Sequence, residues 1–76
     1  MKEILETLIK NLVENEDEVK VTEKEEGKTT VFEVKVAESD MGKVIGRQGR
    51  VAKSIRTVMK SVAGKEHKKI AIEYLD

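Results

Sequence analysis

Apolar positions near the start of the chain fall at Ile4, Leu5, Leu8, Ile9, Leu12 and Val13, a spacing of i, i+1, i+4, i+5, i+8 and i+9. This is the repeat of one apolar helix face with charges opposite, and it predicts an amphipathic helix. Asn15 and the acidic run Glu16-Asp17-Glu18 end it. The period then drops to about 2, the repeat of a strand. Val19 and Val21 alternate with polar residues as in a short or edge strand. Glu25-Glu26-Gly27-Lys28 reads as a hairpin turn. After it, Thr30, Phe32, Val34 and Val36 alternate with Thr29, Val31, Glu33 and Lys35, which predicts a strand with one core face.

Helical spacing returns in the second half. Ser39 is placed to N-cap a short helix through Met41, Val44 and Ile45. The tetrapeptide Gly46-Arg47-Gln48-Gly49 interrupts, and a longer helix follows, with Val51, Ile55, Val58, Met59 and Val62 as its core-facing residues. Arg50, Lys53, Arg56 and Lys60 lie away from most of that face. Gly64 is a natural C-cap, with Lys60 and Lys65 near the negative end of the helix. Ile70, Ile72 and Tyr74 alternate through a closing strand, and alternation turns both aromatics, Phe32 and Tyr74, toward the core. The order is α-β-β-α-α-β, an α+β fold with one sheet and its helices on one face. If the strands before and after the helix pair are parallel neighbours, a right-handed crossover joins them.

Composition narrows the function classes. Seventy-six residues allow one small domain. A charged content of 39% would suit a disordered chain if the 38% of hydrophobic residues were unpatterned, and they are strongly patterned. There is no cysteine, hence no disulfide and no thiolate metal site. His67 is the only histidine, and no Ser/His/Asp set, nucleotide-binding P-loop or suitable carboxylate pair is present. The chain reads as a non-enzyme with no cofactor, no metal and no small-molecule substrate. Glu3, Glu6 and Lys10 break up the first apolar residues, so no signal-peptide core forms, and no stretch approaches membrane-spanning length. A soluble cytoplasmic protein without a membrane partner is the expectation.

Charge is zero overall but unevenly placed. Residues 1–38 carry 6 Lys against 11 Asp and Glu, a balance of −5, whereas residues 39–69 carry 9 Lys and Arg against Asp40 and Glu66, a balance of +7. Glu73 and Asp76 restore neutrality. Such asymmetry suits a polyanionic partner for the basic part, and equally a solvated, charge-rich surface.

The basic part centres on Asp40-Met41-Gly42-Lys43-Val44-Ile45-Gly46-Arg47-Gln48-Gly49-Arg50-Val51-Ala52-Lys53, which holds three of the five glycines. Glycine removes the Cβ obstruction and permits φ > 0, so a backbone built this way can approach a phosphate closely. A helix starting there adds free N–H donors and the positive end of its dipole. The tetrapeptide alone is a weak signal: at a glycine frequency near 7%, about one chain of this length in three holds a G-x-x-G by chance. Its placement between two predicted helices, after a β-hairpin and directly behind Val44-Ile45, is what makes it specific.

On those residues the chain resembles a type II KH domain, and in its N-terminal helix, the Asp40–Lys53 stretch and Ile55-Arg56 it is similar to the small stand-alone bacterial KH-domain RNA-binding proteins of the KhpA family. The resemblance covers residues 1–76, with 1–27 as an N-terminal helix and strand extension and 28–76 as the core KH motif. It implies a three-stranded mixed sheet with three helices packed on one face, and a single-stranded RNA-binding protein that clamps about four nucleotides, acting as an RNA chaperone or post-transcriptional regulator. In that reading Gly46 and Gly49 let the strand approach, Arg47 and Gln48 meet phosphates, Lys43, Arg50 and Lys53 add charge attraction, and Val44, Ile45 and Val51 form part of an aliphatic groove for bases. Ala52 departs from the pattern, since many KH domains carry a bulky aliphatic residue there; Val51 and Ile55 are the residues that could replace it. The resemblance also implies a homodimer or a heterodimer with a larger KH-containing RNA-binding protein, and a link to cell shape. The alternatives are a dimerisation or scaffold module and a single-stranded DNA-binding protein. The plainer readings are a tight helix–helix turn for Gly46 and Gly49, a packing or capping role for Gly42, and a solvated helix face for Arg56 and Lys60.

Overall fold

The computed structural model describes residues 1–75. Six main elements follow one another: α1 (Lys2–Lys10), β1 (Lys20–Glu26), β2 (Thr29–Lys35), α2 (Met41–Ile45), α3 (Arg50–Lys65) and β3 (Lys69–Leu75). Single 3-10 turns lie at Glu16–Glu18, Glu38–Asp40 and Arg47–Gly49. β1 pairs antiparallel with β2, setting Val21 opposite Val34. β3 pairs parallel with β2, setting Phe32 opposite Ile72 and Val34 opposite Tyr74. The sheet is therefore mixed, with β2 in the centre, and the arrangement is that of a type II KH fold.

The core follows from the two periodicities. Thr30, Phe32 and Val34 of β2, and Val36 just beyond it, are all buried, on the face that alternation predicts. They meet Leu5 and Ile9 of α1, Val44 of α2, and Ile55 and Met59 of α3, so both halves of the chain share one core. Val31, on the opposite face of β2, is buried as well. A central strand is sheltered on both sides: Lys24 and Ala71 flank Val31 in the register, and the Lys24 amine reaches Glu33 at 3.2 Å, laying its stem along that face.

Four sequence expectations are corrected. α1 ends at Lys10 rather than running through Val13, and the Asn11 side chain there adds a second hydrogen bond, of 2.8 Å, to the Thr7 carbonyl that its own backbone N–H already reaches at 3.1 Å. Second, not every residue of the apolar faces is core: Ile4, Leu12 and Val58 are 42%, 38% and 44% exposed. Each stripe is wider than the sheet can cover. Third, Ser39 makes no cap; it sits in a 3-10 turn, where its hydroxyl accepts from the Asn15 side chain at 3.5 Å. Last, Gly64 is not the C-cap. α3 continues to Lys65, and His67 takes the left-handed position with φ 57. Lys68 N–H donates to the Ala63 carbonyl at 3.0 Å and His67 N–H to the Gly64 carbonyl at 3.2 Å, a Schellman closure whose C-cap, Glu66, lies two residues after Gly64.

Candidate nucleic-acid interface

The G-x-x-G segment reverses the chain between α2 and α3 by placing three of its four residues at positive φ: Gly46 at 75, Gln48 at 57 and Gly49 at 74. Gly46 N–H closes α2 on the Gly42 carbonyl at 2.8 Å, and Gly49 N–H bonds the Gly46 carbonyl at 3.2 Å. Gly46, with ψ 176, occupies a region that is essentially restricted to glycine. A Cβ on it would also stand 2.8 Å from Val51 Cβ and 2.9 Å from Val51 N, closer than real contacts allow. Gly49 needs glycine for its φ alone, because the space beside it is open. The close approach is thus internal at Gly46 and outward at Gly49.

Arg47 and Gln48 are exposed at the tip, and Arg50 and Lys53 are exposed on the first turns of α3. Among the described residues no side chain caps α3; the Arg50 N–H donates to the Arg47 carbonyl, and the N–H groups that follow it sit at the positive end of the helix beside those cations. Among the described residues, no carboxylate pairs with Arg47, Arg50, Lys53 or Arg56.

Lys43 is different. Its Nζ lies 2.9 Å from Glu14 and 3.4 Å from Asp40, and the Glu14 hydrogen bond leads the effects that raise its pKa. The Lys43 side chain is still 40% exposed and that of Glu14 81% exposed, so their pair is a surface contact worth little and the amine stays open to solvent. Asp40 is the hub of that site. Its carboxylate is buried and accepts from Glu14 N–H at 3.2 Å, Asn15 N–H at 3.0 Å and the Asn15 side chain at 3.0 Å. Burial opposes the charge, but these donors and Lys43 outweigh it and hold the pKa down to about 2. The hub ties the loop after α1 to the start of α2.

The expected aliphatic groove is also rearranged. Val44 is wholly buried in the core and offers no surface, because it sits on the face of α2 turned to the sheet. Ile45 and Val51 are half-buried against the same core. The open hollow beside the glycine loop lies instead between α3 and β3. It has a volume of about 270 Å³ and is lined by Gly49, Ala52, Lys53, Arg56, Ile72 and Tyr74. Ala52, the small residue at the departing position, forms part of its wall. Tyr74, expected in the core, lines this hollow half-buried. Its hydroxyl is buried without a hydrogen-bond partner among the described residues, and burial raises its pKa. Arg56, Ile72 and Tyr74 line this hollow and are not among the residues expected from the sequence. The available signal was the i, i+3 spacing of Lys53 and Arg56; nothing in the alternation of β3 says that its partner helix leaves one side open.

A second surface lies on the other flank of α3. Leu8, Leu12, Val51, Ile55 and Val58 line a nearly all-apolar hollow of about 280 Å³ between α1 and α3. The partly exposed Leu12 and Val58 belong to it.

Comparison with known proteins agrees with this geometry. The family model described as "KhpA/KhpB, KH domain" matches residues 2–73. The chain is 52% identical over 75 residues to the RNA-binding protein KhpA of Clostridium acetobutylicum, covering 99% of this chain and 100% of that protein. It is 43% identical to KhpA of Aquifex aeolicus, covering 100% of this chain and 96% of the relative, and 41% identical to KhpA of Chlamydia trachomatis, covering 100% and 97%. No solved structure matches the chain. The chain belongs to the KhpA/KhpB KH-domain family.

Proposed function

We propose that this protein is a cytoplasmic single-stranded RNA-binding protein, not an enzyme, that clamps about four nucleotides at the Gly46–Gly49 loop and acts as an RNA chaperone or post-transcriptional regulator. The observation that carries the reading is the loop itself. Gly46 holds the chain at angles that essentially only glycine takes and Gly49 adds a left-handed turn that favours glycine, leaving Arg47 and Gln48 at the tip, with cations along α3 that no carboxylate pairs among the described residues. Phosphates would meet Arg47, Gln48, Arg50 and the first N–H groups of α3. Bases would lie in the hollow between Ala52 and Ile72, beside Tyr74. The relatives named as RNA-binding proteins support the same ligand.

The test is Arg47→Asp with Gln48→Asp, titrated against short single-stranded RNA. Aspartate tolerates the left-handed region at position 48, so the fold should survive. Binding should fall at least tenfold; unchanged binding by a folded variant would refute the clamp. With three or four phosphates neutralised, log K should fall with log salt at a slope of about −2 to −3. Matched DNA and RNA strands test whether the 2′-hydroxyl matters; equal affinity would place single-stranded DNA beside RNA as a ligand.

The apolar face between α1 and α3 favours a second reading, a dimerisation or scaffold module that pairs with another copy or with a larger KH-containing RNA-binding protein. Pairing would add avidity to a small site. Val58→Glu should then lower the mass measured by light scattering while short-RNA affinity holds. A wild-type monomer at all concentrations would count against self-pairing.

A further inference from the structure

α3 carries three different strips. Ile55, Met59 and Ala63 face the sheet and are buried; Val51 and Val58 turn toward α1; Lys53, Arg56 and Lys60 follow one another at i, i+3 and i+7 along the edge that borders β3, all exposed. On the other side of that border, β3 presents Tyr74, Ile72 and Ile70 on one face, each only half-buried, because β3 is an edge strand and α3 covers it incompletely. Two hollows open along this line. The first is the one beside Gly49, walled by Lys53, Arg56, Ile72 and Tyr74. The second, of about 440 Å³, is walled by Lys60, Lys68, Lys69 and Ile70. Arg56 and Lys60 are one helical turn apart, and Ile72 and Ile70 are consecutive residues of the same strand face. The two hollows therefore lie end to end along the α3–β3 border.

The second hollow is the more basic. Lys60, Lys68 and Lys69 all line it, with no carboxylate paired to any of them among the described residues. Lys60 stands about 10 Å along the helix from Lys53. A row of cations facing a parallel row of aliphatic side chains matches a single strand, whose phosphates run along one side and whose base faces bury against the other. An acidic peptide would satisfy the cations but has no need of the continuous aliphatic row.

Resting on the RNA reading above, we infer that the RNA track does not end with the four nucleotides at the glycine loop but continues down the α3–β3 trough to a second phosphate site formed by Lys60, Lys68 and Lys69. The loop clamps one end of the strand, and the lysine cluster holds the other. Each further phosphate neutralised steepens the salt slope by about 0.7, so two or three should make it steeper by about 1.4 to 2.

The experiment compares four- and eight-nucleotide RNA homopolymers by fluorescence anisotropy at several salt concentrations. The proteins are wild type, the triple variant Lys60→Ala, Lys68→Ala, Lys69→Ala, and a charge-matched control, Lys10→Ala, Lys20→Ala, Lys35→Ala, with folding checked by circular dichroism. A four-nucleotide site gains about fivefold from the extra registers of the longer strand alone. The continuous track predicts a gain of twentyfold or more for wild type and control, about fivefold for the trough variant, and equal four-nucleotide affinity for all three within about twofold. A fivefold gain in wild type, or a trough variant that matches the control, would overturn the extension while leaving the clamp standing. Failure of wild type to bind either length would overturn the RNA reading and the track together.

Discussion

Gly46 and Gly49 look alike in the sequence and differ in the fold. At Gly46 the backbone lies where only glycine is comfortable, and Val51 fills the space a Cβ would need. At Gly49 only the left-handed φ matters. Gly46→Ala should cost ~3 kcal/mol or more, strain and clash together, whereas Gly49→Ala should cost ~1 to 2 kcal/mol; denaturant unfolding of both variants measures the difference, and equal losses would contradict it. Tyr74 is the other residue whose surroundings decide its meaning. Its buried hydroxyl lacks a partner among the described residues, so Tyr74→Phe should leave the free protein as stable or raise it by ~1 kcal/mol. A clear loss in thermal midpoint would show that the hydroxyl is satisfied within the fold.

At the scale of elements, the helices show where pattern stops being a guide. The helical period located α1 and α3, and the strand period located β2 and β3, because burial of one face is what each period records. Ends are set by local closure instead. α3 passes Gly64 and stops at a left-handed His67, a conformation costing ~1 kcal/mol or more for a residue with a Cβ. His67→Gly should therefore stabilise the fold by ~1 kcal/mol, and Gly64→Ala, in open space within the helix, by ~0.5 to 1 kcal/mol. Both shifts are read from chemical denaturation midpoints, and a loss at either position would reverse this account of the helix end.

Across the whole molecule, Asp40 joins segments far apart in sequence. Because its folded pKa of about 2 lies below the ordinary 3.8, the unfolded chain takes up the proton first as pH falls. The stabilisation from this carboxylate is fully present above about pH 4 and fades as pH drops toward 2. Asp40→Asn should thus be less stable than wild type at neutral pH, with the gap narrowing between pH 4 and 2. A gap independent of pH would mean that shape, not charge, matters at this hub. The same long-range contact gives Lys43 two carboxylate neighbours, an arrangement that neither Lys43 nor Glu14 announces in isolation.

The order of elements, the single core, the identity of the glycine loop and the basic character of the segment around it are all present in the sequence, since spacing, glycine and charge are local properties of a chain. What only the tertiary structure decided is which side of each element stays open. The edge position of β3 and the limited cover that α3 provides leave Tyr74 and Ile72 half-buried against the core, with the exposed Arg56 beside them along a hollow, while Val44 lies wholly inside. The pairing of Asp40 with Asn15 and Lys43, and the apolar face shared by α1 and α3, arise the same way. Each depends on the packing of elements distant in sequence, and a one-dimensional pattern records that a residue is apolar or charged without recording what comes to lie against it.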